Sequence, residues 1–235
     1  MILSTVITIS LVWLLMSIAL RGQPGERRVV DAMAAALGNV GNLGFPIVLF
    51  ALGEEALPAA VVHFLATTMC IFGFGVTASA RLRSGTVSTT LRRVAATPAI
   101  LVVPFGFLMA ATESTLPTAP GRLVDLLADA MIPVMLLTLG MQLASSHLAA
   151  GFGRLGIISV AKLVVTPIIF VGVAAVFGLT GLPRDTGLLL AAMPTAVLVG
   201  LISIEFDLEA EMASAAILLT SVLALGTLSV VLALL

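Results

Sequence analysis

Three observations predict an all-α, polytopic membrane protein. Of the 235 residues, 60% are hydrophobic and only 10% are Asp, Glu, Lys or Arg, where a soluble domain carries about 25% charged residues. The mean hydropathy is +1.23, which excludes a water-facing globule. The chain also divides at its charge and Pro/Gly clusters into eight apolar stretches, each near the roughly 20 residues a helix needs to cross the hydrocarbon core. Lipid offers the backbone no hydrogen-bond partner, so each stretch must be helical, and the period-2 alternation of a barrel is absent. A net charge of −1 excludes a nucleic-acid partner held by phosphate contacts. The single cysteine, Cys70, excludes a disulfide framework and a thiolate metal site. His63 and His147 lack the neighbouring carboxylates a metal centre would need, so no metal and no cofactor are expected.

Taken in order, the stretches are 2–20, 32–52, 57–80, 94–111, 123–146, 155–179, 186–204 and 210–235. The first is a span rather than a cleaved leader, because Arg21, Arg27 and Arg28 follow the apolar run instead of preceding it. The second is interrupted by Gly38-Asn39-Val40-Gly41-Asn42-Leu43-Gly44-Phe45-Pro46. The third carries His63, read as an interhelix hydrogen-bonding residue in preference to a proton relay, since no acid stands in helical register with it. The fifth contains Pro133, with Thr138 and Gln142 four apart on one face; these either bond to a neighbouring helix or line a substrate route. Asp125 and Asp129, near the end of that span, read as a solvated face, as do Glu205, Asp207, Glu209 and Glu211 before the eighth. The sixth holds Lys162, the only lysine. It lies about 10 Å from the span end, close enough to snorkel; the alternative is a core-facing group that attracts an anion or is linked to a proton. The seventh is interrupted at Ala191-Ala192-Met193-Pro194-Thr195-Ala196-Val197.

Orientation follows from the cations in alternate loops. Arg21, Arg27, Arg28, Arg81, Arg83, Arg92, Arg93 and Arg154 fall on one side by parity, and only Arg122 and Arg184 on the other. Both termini are therefore expected outside the cytoplasm, in a multi-pass protein of the cell inner (plasma) membrane.

The order plain span, broken span, acidic loop, long span occurs twice. Glu55-Ala-Leu-Pro-Ala-Ala-Val-Val62 opens one long span and Glu211-Met-Ala-Ser-Ala-Ala-Ile-Leu218 the other. The two units lie an odd number of crossings apart and so are inverted, a mark of secondary transporters built around interrupted helices. Spans 94–111 and 123–146 have no counterpart before the first unit, so the repeat implies a ten-helix plan lacking two helices ahead of Met1. The expected organisation is 1–80 as first-repeat transport helices, 94–146 as scaffold helices and 155–235 as second-repeat transport helices.

Three glycines and a proline between 38 and 46 disfavour a helix interior, and two asparagines add polar groups that lipid cannot satisfy. Such a segment is either an unwound crossover offering donors to a ligand or a small-residue helix contact. Pro194 removes a backbone donor, and Thr195 adds the one hydroxyl of the second break. Two half-helix N-termini meeting near the midplane would attract an anion without any charged side chain.

At these broken spans the sequence resembles the auxin efflux carrier family, including its bacterial malate and malonate permease-like members. The resemblance is carried by GNVGNLGFPIVLFALG at 38–53, IPVMLLTLGMQLA at 132–144 and AAMPTAVLVGLISIEFDLEAEMASAAILLTSVLALGTL at 191–228. It runs from that family's third helix to its tenth. It implies a ten-helix carrier of two inverted five-helix repeats, with a mobile transport domain, a crossover at the two prolines, and a scaffold that also forms a homodimer in the full-length protein. Asn39, Gly41, Asn42 and Pro46 match the first crossover motif and Pro194 the second. Where bacterial relatives often carry asparagine after the second proline, this chain has Leu198 and Val199.

The resulting expectation is a permease for a small organic anion, such as a dicarboxylate or an auxin-like carboxylate, working by an elevator-type mechanism. Its partners are membrane lipid and that anion. The candidate binding residues are Asn39, Gly41, Asn42, Pro46, Pro194 and Thr195, with Thr138, Gln142 and Lys162 on a substrate route or in coupling. A sodium-coupled symporter of the bile-acid type would need acidic or carbonyl oxygens clustered at the crossover, and no acid lies there. A non-transporting, truncated membrane subunit is a further alternative. An enzyme is not expected: Glu54-Glu55 ahead of His63 is similar to the glutamate pair of membrane CAAX-type proteases, but Ala59 stands where they need arginine, and no Gly-x-Ser-x-Gly motif exists.

Overall fold

Glycine and proline decide where this chain stops winding. The computed structural model describes residues 1–83, 102, 105, 106, 108, 109, 112, 114, 116–145 and 151–235, and of Gln142 and Ser145 the backbone only. Helices α1 (Ile2–Ala19), α2 (Gly25–Ala36), α3 (Phe45–Leu52), α4 (Leu57–Cys70) and α5 (Thr77–Leu82) precede α6 (Thr118–Ser145). They are followed by α7 (Phe152–Val160), α8 (Thr166–Val176), α9 (Gly181–Ala191), α10 (Val197–Glu205) and α11 (Ala210–Leu234). No strand forms among the described residues.

Three wide π turns join these pieces: Val40–Gly44 ahead of α3, Ile71–Val76 between α4 and α5, and Ala161–Val165 between α7 and α8. Two have a proline just beyond them, Pro46 and Pro167. The pyrrolidine ring cannot sit against the carbonyl four residues back, and a widened turn relieves that clash. The third contains Gly73 and Gly75, and a Cβ on Gly75 would lie 3.2 Å from the Met33 sulfur, so the helix there needs glycine to approach α2.

Five segments among the described residues are long and apolar enough to cross a membrane: Ile2–Ala19, Glu54–Leu82, Thr118–Met141, Phe152–Val176 and Ala210–Leu234. The expected spans 32–52 and 186–204 are each two shorter helices, α2 with α3 and α9 with α10. Most of the expected span 94–111 lies outside the described residues, as do Arg92, Arg93, His147 and the Gln142 side chain.

Helix α2 is the hub. Val30 and every residue from Ala32 to Leu37 are almost wholly buried, and α1, α5, α7, α10 and α11 all pack on it. Its alanine run lets neighbouring backbones come close where lipid supplies no hydrophobic drive for association. Helix α6, by contrast, is mostly exposed and rests on the Val40–Gly44 turn and α3.

The acidic loop before α11 is largely exposed, as its composition suggests, and arginines from distant helices also pair with it. Arg83 donates through Nε to the Phe206 carbonyl at 3.2 Å and pairs with Asp207 and with Glu26 at 3.3 and 3.2 Å. Arg154 chelates Asp31 through Nε at 2.8 and 3.0 Å and also bonds Glu209. These arginines hold Asp207 (φ 52) and Glu209 (φ 31) in a left-handed backbone that non-glycine residues seldom adopt. A one-dimensional reading cannot see that cations 55 and more positions away return to this loop.

Candidate anion site at a helix crossover

The two interruptions meet. Leu37 takes up extended backbone after α2 and Ala196 does so just before α10, while Asn39 (φ −76, ψ 63) and Ala192 (φ −81, ψ −3) turn the chain, and Gly38 and Thr195 form an isolated antiparallel bridge. The Asn39 N–H donates to the Pro194 carbonyl at 2.7 Å and the Ala196 N–H to the Leu37 carbonyl at 2.9 Å. Each break thereby satisfies backbone groups that the other's loss of helix had freed, which is what membrane depth requires of irregular backbone.

Hydroxyls brace this contact. Thr195 Oγ1 donates to the Ala34 carbonyl at 2.7 Å, and Thr220 Oγ1 accepts the Thr195 N–H at 3.1 Å. Thr166 Oγ1 donates to the Ala35 carbonyl at 3.2 Å and the Ala161 carbonyl at 2.9 Å. The last carbonyls of α2 are therefore capped from the second break and from α8, where a free helix end would leave them bare.

A cavity of about 270 Å³ opens on one side of the crossover. Its wall includes Val40, Gly41 and Asn42 from the start of one half-helix and Ala196, Val197 and Leu198 from the start of the other. First-turn N–H groups have no intrahelical acceptor and carry the positive end of the helix dipole. Both half-helices, Val40–Leu52 and Val197–Glu205, thus present donor ends to one space. Asn39 lines it too; the residue is 4% exposed and its Nδ2 has no hydrogen-bond partner among the described residues. Thr67 Oγ1 is in the same condition. Unpaired buried donors are costly, and an anion is the ligand that would satisfy them together.

Among the expected site residues, Asn39, Gly41 and Asn42 line this cavity. A Cβ on Gly41 would lie 3.3 Å from the Phe64 ring, so glycine keeps the floor open. The unwound part is shorter than the glycine-rich motif suggests, because Gly41, Asn42 and Gly44 lie in the wound π turn. Pro46 is buried inside α3 and off the cavity wall. Pro194 contributes its carbonyl to Asn39, and Thr195 directs its hydroxyl to Ala34 and away from the cavity. Thr138 returns its hydroxyl to Val134 of its own helix at 2.7 Å and is not on the wall, where α6 instead contributes Met135. Lys162 does not snorkel. It is 1% exposed and donates to the Ala191 carbonyl at 3.0 Å, held inward by α9 and the crossover. His63 Nδ1 lies 3.0 Å from Thr5 Oγ1, an interhelix bond between α4 and α1. Sequence reasoning overlooked Thr67, Thr166 and Thr220; the adjacent pair Thr67-Thr68 within an apolar span was the available signal.

A fold of apolar helices with two interrupted ones crossing at depth defines a membrane carrier in class. The chain matches the membrane transport protein family over residues 86–232, and it belongs to that family, the auxin efflux carrier-like transporters. It is 31% identical over 218 residues to the "Putative malonate transporter" of Rhizobium meliloti, covering 88% of this chain and 67% of that protein. It is 28% identical over 197 residues to an "Uncharacterized transporter" of Methanothermobacter thermautotrophicus, covering 83% and 64%. The chain thus spans about two thirds of the length of these curated relatives.

Proposed function

We propose that this protein is a secondary carrier for a small organic anion, bound by its carboxylate in the crossover cavity. One observation carries the reading: the donor ends of two half-helices line a single 270 Å³ space in which the Asn39 amide nitrogen has no partner among the described residues. Backbone N–H groups and amide side chains hold a carboxylate without a fixed cation, which suits a site that must release its cargo. Malonate, taken from the name of the Rhizobium relative, is the first substrate to try, with larger auxin-like carboxylates next. Translocation is read as an elevator-type displacement of the helices that carry the crossover (1–80 and 155–235) against the 94–146 segment. That segment is also read as the homodimer contact. The termini are assigned to the non-cytoplasmic side of the plasma membrane.

The test is uptake of radiolabelled malonate into proteoliposomes. Asn39→Leu, Asn42→Leu and Pro46→Ala are each expected to reduce uptake at least tenfold while the protein still inserts. Uptake at the unmutated rate by all three would remove the crossover from the mechanism.

A further inference from the structure

Lys162 lies ten residues into the Phe152–Val176 span, about 15 Å along it, and is among the largest fully buried side chains of the described residues. Its Nζ stands in the wall of a water-sized void of about 10 Å³ shared with Thr5, Thr8, His63, Thr67 and Thr166. Among the described residues no carboxylate lines that void. Of the elements packed on the Ala161–Val165 turn, α2 carries Asp31, which faces Arg154 and Arg27, and Glu26, which faces Arg83. Arg27 and Arg28 lie in the first turn of α2, away from Lys162. Helix α7 carries Arg154, α11 carries only Glu211 in its exposed first turn, and α8 carries no charge. Packed beside them, α1 offers only hydroxyls and α9 ends on the Ala191 carbonyl, its Arg184 and Asp185 pairing with each other at 3.1 Å. Among the described residues His63, on α4, is therefore the one titratable side chain facing Lys162, and its Nδ1 is engaged with Thr5.

Gly38 bounds both this void and the larger cavity, and a Cβ on it would lie 3.4 Å from Lys162 Nζ. Gly38, with Val40 and Thr67, therefore stands between the amine and the proposed anion. A charge at this depth needs a counter-charge; no described residue of the wall is a carboxylate, and an anion in the cavity would supply it. Each then favours the other's binding by the same factor, because coupling between sites is reciprocal.

We infer that Lys162 is the proton-coupling group of the carrier. Its neutral amine takes one proton from water as the anion enters, R–NH₂ + H⁺ giving R–NH₃⁺, and returns it when the anion leaves. The two cross together, and no other bond changes. This rests on the carboxylate reading of the crossover cavity and adds the ion that accompanies the cargo.

The test is calorimetric titration of the purified protein with malonate, in buffers of different ionisation enthalpy, at a pH where malonate is fully ionised. The dependence on buffer gives the protons taken up per anion bound. Wild type is expected to take up close to one. Lys162→Met and Lys162→Arg are expected to take up none, with Arg still binding malonate because its guanidinium stays charged. His63→Gln is expected to keep the wild-type value. Malonate binding by wild type without proton uptake, or uptake that survives Lys162→Arg or vanishes in His63→Gln, would overturn the assignment of Lys162. Absence of malonate binding by wild type would overturn the crossover reading, and this inference with it.

Discussion

The first and second breaks of the crossover look alike on the page, each a proline in an apolar span, yet the structure uses them differently. Around Gly38-Asn39 the side chains are left open, with the Asn39 amide nitrogen unpartnered and the adjoining Gly41 and Asn42 facing the cavity. Around Pro194-Thr195 the polar groups are matched: the Thr195 N–H goes to Thr220, its hydroxyl to Ala34, and the Pro194 carbonyl accepts Asn39. The second break is thus the brace that holds the first one open. The approaches to the two breaks differ as well, since α2 is anchored by the buried Asp31–Arg154 pair with Glu209 behind it. Binding residues in a membrane can stay unsatisfied only where satisfied neighbours fix the backbone around them.

The largest effect is expected from Arg154→Ala. It leaves the Asp31 carboxylate, whose side chain is 2% exposed, without its main partner. Losing one member of a buried pair costs about 3–5 kcal/mol, read as a fall in the thermal midpoint of the detergent-solubilised protein. An unchanged midpoint would show that the approach to the first break needs no charged anchor. Next comes Thr195→Val, which keeps the shape but leaves the Ala34 carbonyl unpaired. Its expected cost is about 1–3 kcal/mol, whereas Asn39→Leu, removing a donor that has no partner, should leave the midpoint unchanged or raised while weakening malonate binding. If Asn39→Leu proved the more destabilising of the two, the division of labour would be reversed. The smallest effect is expected from Leu198→Asn. Leu198 lines the cavity at 39% exposure, so an amide there would add a donor to the second side and tighten malonate binding about two- to tenfold, within one hydrogen bond's worth. Unaltered or weaker affinity would mean that the cargo does not reach α10.

Much of this could be read in one dimension. Hydropathy gave helices, and clustered glycine and proline marked the two places where helices stop, because backbone propensity is local. Asn39 and Asn42 stood out as amides with no reason to be in lipid. The partners of Thr195 and Thr138 were not legible, because a hydroxyl's partner can lie 161 residues away (Ala34) or four residues back in the same helix (Val134), and composition does not distinguish these. Lys162 was poised between snorkelling and facing inward for a similar reason: its depth is set by sequence, its direction by the helix packed on each side.

The sequence alone determined that the chain is helical, apolar and interrupted twice, since those properties follow from the residues and the solvent they meet. The tertiary structure decided that the interruptions hydrogen-bond to each other, that one braces while the other stays open, and that the lone lysine lies behind them. Those outcomes depend on which distant backbone groups come within 3 Å, and hydrogen bonding at that range is a property of packing rather than of order along the chain.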